Sequence, residues 1–201
     1  MSDRIQPTGS IGPMTEPGKE DDEVLKDPAK VDYMEGRKYI QQGDYAQAAY
    51  AMHNSLKGFE EQNNAQGVAN ASARLGDICL ATEEYARALE HYQRAFAICD
   101  EEQDIFSMVS LNRKMAGVYK NLGDLEKTLQ ILFDVFDHYS QLHDPQGTVD
   151  ILEVIAEVYI ELAQLDKAAD TLRTIASIHA NFKHSRLARE YQDRARELLE
   201  A

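Results

Sequence analysis

The chain has 201 residues, enough for one domain with a sizeable core or one short repeat array. It is 43% hydrophobic and 28% charged, with a mean hydropathy of −0.50, which places it with ordinary soluble proteins. Its net charge of −14 and pI near 4.8 would repel phosphate backbones and anionic lipid surfaces, so nucleic acid is not expected as a partner. Two cysteines, Cys79 and Cys99, make neither a disulfide framework nor a zinc set, and a reducing, cytoplasmic location is the expectation. No apolar run reaches membrane-spanning length and the N-terminal stretch has no signal-type apolar region, so membrane insertion is not expected.

Residues 1–27 mix Pro7, Pro13 and Pro17 with glycines and the acidic run Glu20 to Glu23, a composition that predicts a disordered acidic tail. From residue 28 proline almost vanishes until Pro145 and apolar residues recur at helical spacing, which predicts long helices. The order within them is a period of 40 residues. Small residues fall at Gly36, Gly76, Ala116 and Ala156, and Tyr39, Cys79, Tyr119 and Tyr159 follow three places on. Turn positions come at Gly43, Glu83, Gly123 and Ala163, then Tyr45, Tyr85, Leu125 and Leu165. A second helix supplies Ala48, Ala88, Thr128 and Ala168, then Met52, Tyr92, Leu132 and Leu172, then Ser55, Ala95, Val135 and Ile175. Each unit therefore reads as two helices joined by a tight turn, small residues lying where the helices cross.

The units run over about 28–63, 64–103, 104–143 and 144–183. Asn64, Asp104 and Asp144 are candidate N-caps for their first helices, and Asp27-Pro28 opens the first unit in the same way. Residues 184–201 predict a final capping helix, with Ser185 as its N-cap and a stripe of Leu187, Ala188, Tyr191, Ala195, Leu198 and Leu199.

The pattern small-x-x-Tyr-x-x-x-Gly-x-Tyr-x-x-Ala, clearest at Gly36, Tyr39, Gly43, Tyr45 and Ala48, resembles the tetratricopeptide repeat in its long, 40-residue variety. Glu83 and Ala163 depart from it at the turn, Cys79 at the tyrosine and Thr128 at the alanine. The resemblance implies an all-α, right-handed superhelical solenoid of four hairpins plus the capping helix, whose first helices line a concave groove. It implies a protein-binding adaptor or scaffold that holds a partner protein or peptide there. A regulatory peptide sensor of a signalling system, or a self-assembling repeat protein, is the alternative, and oligomeric state is left open.

On the family geometry the groove would be lined in repeats one to three by Lys30, Tyr33, Arg37, Asn70, Arg74, Arg113, Lys114, Lys120 and Asn121 against the single acid Asp77. Repeat four would offer Asp150, Glu153, Glu157 and Glu161. A basic stretch followed by an acidic end would suit a peptide carrying acidic groups, gripped by arginine forks. The ordinary alternative is that these charges pair with one another on a solvated surface. Tyr33 would be an aromatic anchor. The sign of Glu20 to Glu23 would also allow the tail to compete for the basic half.

No catalytic motif appears: the chain has no phosphate-binding glycine loop, no nucleophile elbow and no scattered carboxylates at a defined spacing. None of the six histidines stands four residues from another with an adjacent glutamate, so no metal and no cofactor is expected. Cys79 reads as a small core residue, because apolar burial suppresses the thiolate. The chain is expected not to be an enzyme.

Overall fold

A computed structural model of the protein describes residues 27–200. Nine helices fill this span: α1 (Pro28–Gln42), α2 (Tyr45–Glu61), α3 (Ala65–Ala81), α4 (Tyr85–Glu101), α5 (Ile105–Asn121), α6 (Leu125–Gln141), α7 (Pro145–Glu161), α8 (Leu165–Asn181) and α9 (Ser185–Glu200). The described residues contain no strand. The expected acidic tail lies outside the described residues, apart from Asp27.

The connections follow a stricter rule than the sequence period suggests. A residue with positive φ recurs every 20 positions, at Gly43, Asn63, Glu83, Gln103, Gly123, His143, Ala163 and Lys183. At each, the next backbone N–H bonds to a carbonyl five residues back, as in Asp44 to Tyr39, Asn64 to Phe59 and Glu84 to Cys79. This paired closure is the Schellman ending of a helix, and it turns the chain straight into the next one. Only two of the eight positions are glycine, so the left-handed turn is imposed on six side chains that resist it.

From Asp44 onward helix starts share the same spacing, and Asp27 alone lies off that register. The side chains of Asp27, Asp44, Asn64, Asp104, Asp124 and Asp144 accept a backbone N–H of the first turn, filling donors that the helix leaves open. Glu84 and Gln164 hold the equivalent place without such a bond. Ser185 does not cap α9: it is the first residue of that helix, and His184 stands at the cap register. The turn centred on Lys183 is one residue shorter than a serine cap would require.

Within each hairpin the small residue of the first helix faces a large one on the second. A Cβ on Gly76 would lie 2.5 Å from the Tyr92 ring, and one on Gly36 2.8 Å from the Met52 methyl. Tyr92, Met52, Leu172, Ile175, Val135 and Ala95 are fully or almost fully buried. Burial of a side chain of leucine size contributes roughly 1.5–3 kcal/mol, so these inter-helix positions dominate the stability. Helices α3, α5 and α7 also pack back onto the preceding hairpin through Ala71, Leu75 and Ile78, Leu111, Met115 and Val118, and Ile151, Ile155 and Val158, all buried.

The two outer helices differ at those same registers. Helix α1 has Glu35 and Lys38, both exposed, where the later first helices have buried apolar residues. Helix α9 packs on α8 through Ala188, Tyr191, Ala195 and Leu198, but carries exposed Gln192 and Arg196 where α7 has buried Leu152 and Ala156.

Candidate functional site

The first helices of successive hairpins, α1, α3, α5, α7 and α9, stand side by side, and the side chains expected in the groove tie them together. Tyr33 of α1 receives a 3.5 Å hydrogen bond from Arg74 Nε of α3. Asp77 of α3 accepts from Lys114 Nζ of α5. Lys120 of α5 pairs with Glu161 at 2.9 Å and Glu157 at 3.8 Å on α7. Glu153 of α7 accepts from the Tyr191 hydroxyl of α9. These contacts define one continuous strip across five helices.

Asp77 is its hub. Besides Lys114 it takes Arg74 at 3.1 Å and the Tyr92 hydroxyl at 2.8 Å. Its side chain is only 24% exposed, and its three partners neutralise and orient it. Tyr92 fills the core beneath with its ring while its hydroxyl reaches the strip, and burial followed by the adjacent carboxylate pushes its phenol well above the ordinary range. Tyr33, followed by Asp77, holds the Arg74 guanidinium still more firmly protonated.

Of the nine residues expected to line the groove in repeats one to three, all but Lys30 fall into two sets. Tyr33, Arg74, Lys114 and Lys120 are engaged with neighbours across the strip. Arg37, Asn70 and Asn121 are exposed, and Arg113 is exposed with a long 3.5 Å contact to the Tyr139 hydroxyl. Lys30 is held near Asp27 at 3.8 Å. The ordinary pairing of charges therefore accounts for part of the basic stretch and leaves Arg37 and Arg113 facing outward.

Two hollows open on the strip. One, of about 140 Å³, lies between α3 and α5 and is lined by Asn70, Arg74, Ser110 and Lys114. The other, of about 330 Å³, lies between α5 and α6, with Arg113, Tyr139, Leu142 and Phe106 at its rim. Phe106 is 80% exposed, and the sequence reasoning passed over it because its register equivalents Gln66 and Gln146 are polar. A large apolar side chain held in water at a helix start was the signal that could have found it.

Cys79 and Cys99 are buried, and desolvation raises both thiols above their ordinary values, which disfavours the nucleophilic form. Among the described residues no cluster of three or more histidine, cysteine or acidic side chains is placed to hold a metal. No described helix is long and apolar enough to cross a membrane.

The family model for the tetratricopeptide repeat matches residues 36–101, the end of the first repeat's opening helix through α4. Among solved structures, a kinesin-light-chain-like protein of Podosopora anserina built of nearly identical TPR-like repeats shares 16% identity at a TM-score of 0.67, over 86% of this chain and 93% of that one. BtubC (BKLC) from P. vanneervenii shares 13% at 0.63, over 90% and 85%. A Rap protein complexed with Competence and Sporulation Factor shares 16% at 0.59, over 86% of this chain and 52% of that one, so this chain spans about half its length. A comparison with curated proteins gives no significant match. Together with the hairpins described above, these likenesses establish an all-α, TPR-like repeat solenoid. The family match covers residues 36–101 alone, and for the rest of the chain the likeness is one of fold: a TPR-like helical array with a 40-residue unit.

Proposed function

We propose that the protein is a non-catalytic adaptor that holds a segment of another protein along the strip formed by α1, α3, α5 and α7. The observation that carries this reading is the division of charge along the strip. At the groove positions of the first three first-helices Lys30, Arg37, Arg74, Arg113, Lys114 and Lys120 stand against Asp77, with Asp32 and Glu35 elsewhere on α1, and Asp150, Glu153, Glu157 and Glu161 occupy the fourth. In a chain of net charge −14, Arg37 and Arg113 remain on this face after the pairing of Arg74, Lys114 and Lys120 with acids, and their positive charge can orient an incoming acidic segment. The groove would take such a segment with its carboxylates toward α1 to α5, with Arg37 and Arg113 as the outward forks and Tyr33 and Phe106 as apolar anchors. The Rap protein seen with a signalling factor is a further reason to expect a peptide-sized ligand on this fold.

The reading places the protein among soluble cytoplasmic scaffolds, with neither metal nor nucleotide needed for capture. Reversal of charge at Arg37 and Arg113, which leaves the Asp77 hub intact, is the direct test. Partner capture from native lysate should fall at least tenfold relative to Arg173→Glu, an exposed change on a second helix, because fully engaged arginine forks contribute about 1.5–3 kcal/mol each. Equal capture by both variants would dispose of the groove.

A further inference from the structure

Two histidines outside the groove meet where α8 passes into α9. His179 lies in the last turn of α8, and His184 is the residue just before α9. Five residues apart, they would point in different directions on a continuous helix. Here the left-handed residue Lys183 reverses the chain, and the His184 N–H bonds to the His179 carbonyl at 2.9 Å, so both rings come to the same side.

The two Nδ1 atoms face each other at 3.4 Å. That is beyond the usual 2.7–3.2 Å of a nitrogen-donor hydrogen bond, so a shared proton gains little there. It is the separation that two ligands take on a single tetrahedral ion. With Zn–N bonds of about 2.0–2.1 Å, the tetrahedral angle puts the nitrogens about 3.3–3.4 Å apart. The rings are also set in place before any ion arrives. His179 stacks on Tyr191 with centroids 5.4 Å apart and planes 16° from parallel, and the Tyr191 hydroxyl is fixed by Glu153. His184 is flanked by the Phe182 ring at 6.3 Å.

We propose that His179 and His184 form a two-point chelate for a tetrahedral divalent transition-metal ion, Zn²⁺ being the best geometric match. Neutral imidazole nitrogen is a ligand for Zn²⁺ in preference to Mg²⁺ or Ca²⁺, which take oxygen. No third histidine, cysteine or carboxylate among the described residues joins the pair, so the remaining positions on the ion belong to water. Such an ion would clasp the end of α8 to the start of α9, fixing the last helix of the stack.

The molecule carries its own control. His138 and His143 have the same spacing two corners earlier, yet there His143 Nδ1 is engaged by the Ser140 carbonyl at 3.0 Å. The experiment is titration of the chelator-treated full chain with ZnCl₂, followed by calorimetry and by the histidine ring resonances. Expected are saturable binding of one ion per chain, a raised Tm, and joint shifts of the His179 and His184 rings. His184→Gln, at an exposed turn, and His179→Gln should each weaken binding at least about tenfold, while His143→Gln should not. Circular dichroism shows whether each variant is folded, and the His184→Gln result stands even if His179→Gln is not. The proposal is overturned by absence of saturable binding, by binding that persists in His184→Gln, or by equal loss in His143→Gln.

Discussion

The second and fourth hairpins use one backbone plan and hold it together differently. Both turn on a non-glycine residue with positive φ, Glu83 or Ala163, and both begin their second helix without a side-chain cap. In the fourth, α7 and α8 meet through buried Leu152, Ala156, Leu172 and Ile175, and its groove carboxylates lie outside that core. In the second, Gly76 leaves space for Tyr92, whose hydroxyl among the described residues bonds to Asp77 of the strip. Core and groove share a residue in one hairpin and are separate in the other. The strip can therefore be altered in repeat four at little structural cost, whereas in repeat two its chemistry is tied to folding.

The largest expected effect breaks the second hairpin from within. Gly76→Val forces a branched side chain into a Cβ position 2.5 Å from the buried Tyr92 ring and should cost about 3 kcal/mol in urea unfolding. Next comes the shared residue. Asp77→Ala strands Lys114, Arg74 and the Tyr92 hydroxyl and should cost about 2 kcal/mol, against about 0.5 kcal/mol or less for Glu157→Ala on the fourth hairpin. Equal losses in that pair of variants would erase the distinction drawn above.

A smaller effect, of opposite sign, treats the two hairpins alike. Glu83→Gly and Ala163→Gly relieve left-handed backbone at exposed turns and should each raise stability by about 0.5–1 kcal/mol, the relief exceeding the entropy that glycine adds to the unfolded chain. The smallest lies at high pH. Burial and Glu153 push Tyr191 up to about 12, and Tyr92 is raised for the reasons given above. Between about pH 10, where tyrosines of the unfolded chain ionise, and the folded values, the unfolded state binds fewer protons, so stability falls as pH rises. Tyr92→Phe and Tyr191→Phe should each remove a comparable share of that slope, read from Tm against pH.

Much of this architecture was legible because it repeats. The small residue at the crossing, its large partner and the Asp or Asn at each first-helix start recur at fixed spacing, and each has one local physical cause. The turns between hairpins were not legible, since Asn63, Gln103, His143 and Lys183 share no side-chain type and are alike only in backbone. The candidate groove was half legible. Helical spacing put Arg74, Asp77 and Lys114 on the right faces, but that both cations converge on Asp77 depends on the offset between neighbouring hairpins, which no single helix encodes. Ser185 misled because a cap-type residue next to a helix start is common, while the 20-residue rhythm places His184 there instead.

That rhythm has a consequence for how the chain can lengthen. All eight corners close by the same geometry every 20 residues, so one extra 20-residue helix would join without a misfit at either corner. It would nevertheless exchange inner for outer along everything that follows, carrying the second-helix face into the groove. Only additions of two helices at a time keep the sides in phase, so the array reads in a binary frame, and parity guards its binding face.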